Sequence, residues 1–539
     1  MTRPSHQERG IALISALSVL VLVSAASLAF VIATSTENRT VTSERVEQAA
    51  LWNADAGIEV ARQVVSVFAR GKLDSLAQQW AGAGPIITDP DGFFPGRAMV
   101  YVSPDSSYQV TTALTFADSA IASRSQTFNF NYASTAEGRY AQHGRKRVVA
   151  EGVLRVSASR GAFTDYLIFT HIHTTETGSP IWFYTSGNFD GRVHTNGQFR
   201  FAYFPTFHDL ASSVSATGIY YNNGTPVDLN DDHNGSIDVP SFNGGFQRGA
   251  DPIEMPPNAF GQQRAAFGGN PADTSPVTNQ EVRGHLGLPI SSDPVPSGVY
   301  VPNAGGAVAG GIYTAGTARE MRLSVDGSGR QVVQVQDTNS RWTAITIDQA
   351  QNRTTVVFNG GPPATYLGVP RGVSYTAGEI TRFGGPVRSN GQSPPALAQN
   401  TQLTVVASSN IRIDRDVVYQ NFDSGSAVLG LYSSGASVKI RTEAPNELLI
   451  DGYVFANGPT GVFTVESYYS GSYRGQVHMR GGVVQRYYGA FGTFSQNSQT
   501  GYGRDWHYDR RGIVPPYYPS TMRFRVDEPS PLTTAWREE

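Results

Sequence analysis

No cysteine occurs among the 539 residues, which excludes disulfide scaffolds, thiolate zinc or iron–sulfur sites and a cysteine nucleophile. Charge is also scarce: Asp, Glu, Lys and Arg make up 16% of the chain against about 25% in an average soluble protein. The formal net charge of -3 leaves no global field to draw the chain to nucleic acid or to an acidic membrane, so any such binding has to be local. Lysine is rarer still, outnumbered 38 to 3 by arginine, whose planar fork suits phosphate or carboxylate. No nucleophile elbow, Walker loop or zinc-protease pattern is present. What abounds is Gly (57) and Pro (31), which favours turns and strands over helices. With 40% hydrophobic residues the chain is too apolar for general disorder, and its length allows about three or four domains.

One stretch breaks this composition. Gly10 to Thr36 is uncharged, rich in Ile, Leu, Val and Ala, and long enough to cross a hydrocarbon core that needs about 20 residues. Arg3 and Arg9 precede it, which predicts a cytoplasmic N-terminus with the remaining chain outside. A cleaved secretory signal is the alternative, with Ser27-Leu28-Ala29 as a small-residue cleavage pattern, and a plain single-span anchor is another. No proline lies between Pro4 and Pro85, so the helix can run on. Val46, Ala49, Ala50, Asn53, Ala56, Gly57, Val60 and Val64 predict one narrow face of small residues suited to helix-on-helix packing. From Gly10 to about Arg70 such a helix is roughly 90 Å long, with Gly71 as its stop.

The leader ending Glu8-Arg9-Gly10, the start Ile11-Ala12-Leu13-Ile14-Ser15, and the later Gln48-Ala49-Ala50-Leu51-Trp52-Asn53-Ala54-Asp55-Ala56-Gly57 resemble the N-terminus of PilX-type minor pilins of type IV pili. The resemblance implies that a prepilin peptidase cuts after Gly10 and that Ile11 becomes the methylated first residue. Two positions depart from major pilins: Ile11 stands where Phe is usual, and Ser15 where Glu is usual. The tip pseudopilins of type II secretion share the missing Glu. A charged α-amino group in lipid is unfavourable unless paired, and Ser15 cannot pair with a neighbour's amine. A subunit of this kind is least penalised at the fibre tip, where no preceding subunit requires docking.

Beyond about residue 90 the pattern is β. Met99-Val100-Tyr101-Val102 and the run from Arg147 to Val156 suit a pilin-type sheet, after which short apolar strands recur between Gly/Asn turns. Val406, Leu431 and Val454 predict stacked coils of a β-solenoid, with a sandwich or propeller as the alternative. The expected class is α+β, mostly β. Its parts are a leader (1–10), a transmembrane and pilin helix (11–70), a pilin-type antiparallel β head (90–160), a large β-solenoid-like region (161–465) with an insertion at about 204–295, and a Tyr/Arg-rich β segment (466–539).

Four constellations are candidate sites. Asp228, Asn230, Asp232 and Asp238 offer hard oxygens of the kind Ca²⁺ prefers, although His233 stands where an EF-hand loop has Gly and no Glu closes the loop; a solvated polar turn is the alternative. His171 and His173 are expected on one strand face with Glu176 and His194 nearby, and Asp414 and Asp416 on another. Arg474, Arg480, Arg486, Tyr487, Tyr488, Arg504, Arg510 and Arg511 interleave cations with rings, as a DNA-binding surface does; the same residues can instead pack as ladders within a Gly-rich β structure.

The segment from Gly481 through Tyr508-Asp509-Arg510-Arg511 to Pro519 also resembles large DUF4900-type PilX-like proteins, and the overall plan is similar to the large ComZ-like competence minor pilins. That resemblance implies a noncatalytic tip subunit, inner-membrane-bound before assembly and then on the pilus at the cell surface. Its partners would be other major and minor pilins, bound through the helix, and its output would be DNA capture in natural transformation, or adhesion. A type II secretion tip pseudopilin and a surface-anchored β-helix glycan-processing enzyme are the rivals.

Overall fold

The computed structural model describes residues 6–77, 92, 94, 96–122, 125–184, 187–222, 225–229, 240–493, 499–526 and 529–539. It has one long N-terminal apolar helix and is otherwise mostly β, as expected. The chain divides into two compact units: unit 1 is Met1–Arg160 with Phe524–Glu539, and unit 2 is Gly161–Arg523, inserted within it.

Unit 1 is built on α1, His6–Ala77, whose 72 residues reach about 108 Å. From Ile11 through Arg45 its side chains are exposed, so the apolar run has no cover among the described residues. Beyond that, Ala50, Ala54, Ile58, Ala61, Val65, Ala69 and Leu73 are buried at three- and four-residue steps. They lie on an antiparallel meander of β1 (Arg97–Val102), β2 (Tyr108–Ala122), β3 (Ser125–Tyr140) and β4 (Gly144–Ala162), joined at β4 by the antiparallel strand Ser530–Glu538. Alternation on β3 turns Phe128, Phe130, Tyr132, Ser134 and Ala136 inward. Gly138 marks the closest approach: a Cβ there would fall on the Ala50 carbonyl and the Ala54 amide.

The small-residue face therefore meets a sheet rather than another helix. It is also rotated from the expected one, because Ala54, Ile58, Ala61 and Val65 are buried while Ala56 is exposed and Val60 and Val64 are half-buried. Small and branched residues alternate so closely here that two neighbouring stripes satisfy the same period.

Unit 2 is a stack of short strands in two large sheets. In the first, parallel register places Ile312, Ser374, Val405, Leu431, Val454, Val483, Ile168, Val193 and Ala211 in one column. The second runs parallel through Phe463–Val465, Val438–Ile440, Ile411–Ile413, Ile380–Gly384 and Glu320–Val325, then continues as an antiparallel meander to Ala364–Leu367. Strand Val428–Ser433 is buried at every position, as in a parallel sheet covered on both faces. Leu431 faces the interior of the coil, and Tyr432 faces an outer layer that includes the helix Phe260–Phe267 and residues 513–518.

Stacking order is not chain order. The chain enters at Ile168–Thr170, stacks outward as far as Phe246–Gln247, crosses to the far end at Gly298–Tyr300, and returns coil by coil until Val483–Gln485 pairs with the entry strand. Three expectations are corrected here. Leu431 pairs with Val405, whereas Val406 pairs with Tyr432 on the opposite face; a one-residue slip reverses every side chain. The stretch 204–295 is not an insertion apart from the stack, since Ala211–Ser213 and Phe246–Gln247 continue it. Strands of two or three residues are too short for periodicity to register. Likewise the 466–539 segment is divided: Tyr473–Gln485 is a central strand of unit 2, and Ser530–Glu538 belongs to unit 1.

Candidate functional surfaces

Gly10 and Ile11 both lie within α1, and the Ile11 and Ser15 side chains are exposed. Farther along, the Thr34, Thr36, Thr40 and Thr42 hydroxyls each donate to the carbonyl four residues back. Self-satisfied hydroxyls let a helix pass from lipid into water without exposing orphan donors.

The Arg/Tyr set of the C-terminal region is mostly engaged within unit 2. Arg480 forks onto Asp451 at 2.7 and 2.8 Å, and Arg511 onto Asp509 at 2.9 and 2.7 Å. The two guanidiniums both stack on Phe422, at 3.8 and 4.1 Å from its centroid. Arg486 donates to the Gly458 carbonyl at 2.9 Å, and Arg504 to that of Gly489 at 2.8 Å while lying 4.5 Å from the Phe491 centroid. Arg474 donates to the Thr442 and Ala444 carbonyls. Tyr488 is buried and Tyr487 half-buried, whereas Arg510 is largely exposed beside Asp209 at 3.3 Å. Charge-assisted forks of this kind close coil edges with a planar geometry that arginine offers and lysine does not.

The carboxylates considered for chemistry are similarly occupied. Asp414, 4% exposed, accepts both Arg322 nitrogens at 2.5 and 2.9 Å and Arg382 at 3.0 Å. Asp416 accepts Arg388, Ser393 and the Leu449 amide. His171 and His173 sit in a bend after the strand Ile168–Thr170 rather than on it. His173 is packed against Phe183, Phe199 and Tyr488, and burial lowers its pKa to about 3. His194 stacks on Phe169 at 5.2 Å and shares hydrogen bonds with Ser212 and Asn196, while Glu176 is exposed. Asp228 is exposed and accepts from Gln198 at 3.0 Å; Asn230, Asp232 and Asp238 lie outside the described residues. Among the described residues no group of three or more His, Asp or Glu could hold a metal ion.

One array escaped sequence reasoning. Glu447, His478, Asp505, His507 and Asp190 alternate carboxylate and imidazole, at 3.0, 2.7, 3.1 and 3.1 Å. Burial pulls the His478 imidazole down, but the hydrogen bonds it donates to the Asp505 and Glu447 carboxylates outweigh it and leave its pKa raised. Burial likewise pushes Asp505 up, and His478 with His507 holds it below the usual carboxylate range. The signal was cross-strand, since His478 pairs in register with Asp505.

Residues 127–216 match a family model described as a domain of unknown function, DUF4900. The match covers part of β3, all of β4 and the first coils of unit 2. No curated protein matches the chain. A solved structure, that of the competence-associated pilin ComZ from Thermus thermophilus, is similar at 10% identity and a TM-score of 0.31, covering 92% of this chain and 98% of that one.

Proposed function

We propose that the chain is a minor pilin of a type IV pilus that presents unit 2 at the cell surface, on the pilus tip. The observation that supports this most is α1: an unbroken helix, bare and apolar from Ile11, whose distal half is the buried spine of an antiparallel sheet. Such a helix gives a membrane-held precursor and, after release, an apolar rod for packing among other pilins. Cleavage after Gly10 by a prepilin peptidase would leave Ile11 as the methylated start, and Ser15 removes the carboxylate needed to dock onto a preceding subunit. Unit 2 leaves unit 1 after β4 and returns through Ser520–Val526, which neighbours β4 in the sheet, so the insertion adds a large body without breaking the helix or the meander.

Capture of a surface is better supported than capture of DNA. Unit 2 holds 24 Arg and Lys against 27 Asp and Glu, and most of the Arg groups proposed for phosphate are spent on carboxylates, carbonyls and rings. Immunogold labelling of piliated cells tests the assignment. Label confined to pilus ends is expected, and label spread evenly along fibres, or only on the cell envelope, would reject it.

A further inference from the structure

The two histidines of the alternating array are held in a way that fixes their charge. His478 lies on the strand Tyr473–Gln485, with Nε2 3.0 Å from a Glu447 carboxylate oxygen and Nδ1 2.7 Å from one of Asp505. His507 lies on the strand Gly501–Tyr508, with Nε2 3.1 Å from the other Asp505 oxygen and Nδ1 3.1 Å from Asp190. An ionised carboxylate only accepts, and a neutral imidazole has one N–H to donate. Each ring therefore satisfies both of its neighbours only as the imidazolium, and on losing a proton it turns a lone pair toward a carboxylate. Both rings are partly exposed, so solvent protons reach them.

The ends of the array are fixed by the backbone. Glu447 has a φ of 50°, in the left-handed region that non-glycine residues rarely adopt, and a Cβ at Gly475 would fall on its carboxylate. The Gln476 amide donates to the same carboxylate at 2.8 Å. At the other end the second Asp190 oxygen accepts the Tyr508 amide at 2.8 Å. The cations on the packed elements are engaged elsewhere: Arg480 forks onto Asp451, Arg388 onto Asp416, Arg474 donates to the Thr442 and Ala444 carbonyls, and Arg504 donates to that of Gly489. Arg510 donates to the Asp190 carbonyl and lies beside Asp209, and Arg192 lies over the Tyr166 ring. Burial raises the Tyr473 hydroxyl above its ordinary value, so it adds no charge near neutrality. Positive charge between the three carboxylates is thus left to the imidazoles.

Against burial, the hydrogen bonds that His478 donates hold its pKa above the ordinary 6.5. Its contribution to stability is therefore complete below about pH 6.5 and is lost as pH rises through the raised value. Asp505 is ionised over that range, because its two imidazole partners outweigh burial. Among the described strands Gly501–Tyr508 pairs with Tyr473–Gln485 alone, so side-chain ties count for more there than in a strand paired on both sides. Residues 187–189 and 502–507 line one cleft of about 480 Å³, and the contact of His507 with Asp190 joins these two parts of its wall.

We propose that His478 and His507 form a protonation-dependent latch on the strand Gly501–Tyr508: charged, they tie it to Glu447 and Asp190, and on the alkaline side they release it. The latch belongs to unit 2 itself and stands whether or not the chain is a pilin subunit.

Hydrogen exchange of the full chain in detergent, at about pH 6 and about pH 9, tests this by mass spectrometry of peptides covering 501–508, with rates corrected for the intrinsic pH dependence of exchange. Protection of 501–508 is expected to fall about fivefold between the two, while Val428–Ser433, buried throughout and paired on both sides, keeps its protection. The double variant His478→Gln with His507→Gln, neutral at every pH, is expected to show the low value at both. Asp190→Asn, which keeps an oxygen for the Tyr508 amide but takes an acceptor from His507, should lower protection about twofold at pH 6. Equal wild-type protection of 501–508 at the two pH values overturns the proposal, and that result needs no variant. So does an equal loss in Val428–Ser433, or a double variant that keeps both the wild-type protection of Val428–Ser433 and the wild-type pH dependence of 501–508.

Discussion

Units 1 and 2 answer the lack of disulfides in different ways. In unit 1 the described ion pairs involve groups that are at least a quarter exposed, such as Lys146 with Glu538, and the buried contact is shape: alanines and a glycine of α1 against the sheet. Unit 2 buries aliphatic columns inside its coils and closes their edges with forks in which the carboxylate is almost fully buried, as at Asp414, Asp451 and Asp509. A single helix on one sheet can be joined by close backbone approach, which needs small residues and tolerates no added atom. A stack of unequal coils has many edges, and each edge needs a directional bond.

The largest effect should come from removing the space that unit 1 depends on. Gly138→Ala sets a methyl against the α1 backbone, and unit 1 is expected to lose more than about 4 kcal/mol while the calorimetric transition of unit 2 stays in place. Coupled loss of both transitions would mean that the two solutions are not separate. In unit 2, Asp414→Ala leaves the buried Arg322 with Glu320 as its one remaining carboxylate and should destabilise by about 3 kcal/mol in denaturant unfolding. Replacing Arg322 with Met in the same chain should recover much of that loss.

His173 supplies a pH test. Its folded pKa of about 3 lies below the unfolded value near 6.5, so the unfolded chain takes up the proton first, and stability falls as pH drops from about 6.5 towards 3. His173→Phe should therefore gain about 2 kcal/mol at pH 5 relative to its effect at pH 7.5; equal effects at the two values would contradict a buried neutral imidazole. The smallest change expected is Arg480→Lys, which keeps the charge but loses the fork onto Asp451 and the stack on Phe422, for about 1 kcal/mol. No loss at all would separate the arginine bias from coil closure.

Much of unit 1 was legible in the sequence because α1 has no proline and no charge where lipid would surround it, and β3 and β4 alternate cleanly. The coil texture of unit 2 was legible where strands are long enough, from Leu403 to Ala456. Its order was not: nothing local says that Ile168 lies beside Val483, because that pairing depends on where the stack begins and ends. The candidate surfaces were least legible. The Arg/Tyr composition between 474 and 511 showed that ladders or a polyanion surface were possible, but the partners that choose between them, such as Asp451 for Arg480 and the Gly458 carbonyl for Arg486, come from other coils.

The account turns on α1 being the processed helix of a pilin rather than an uncut anchor or a signal. Mass spectrometry of the N-terminal peptide from protein purified out of the native cell tests this most directly. A peptide beginning at Ile11 and carrying one added methyl group is predicted. A peptide that still contains Gly10, or one that begins after Ala29, would contradict it.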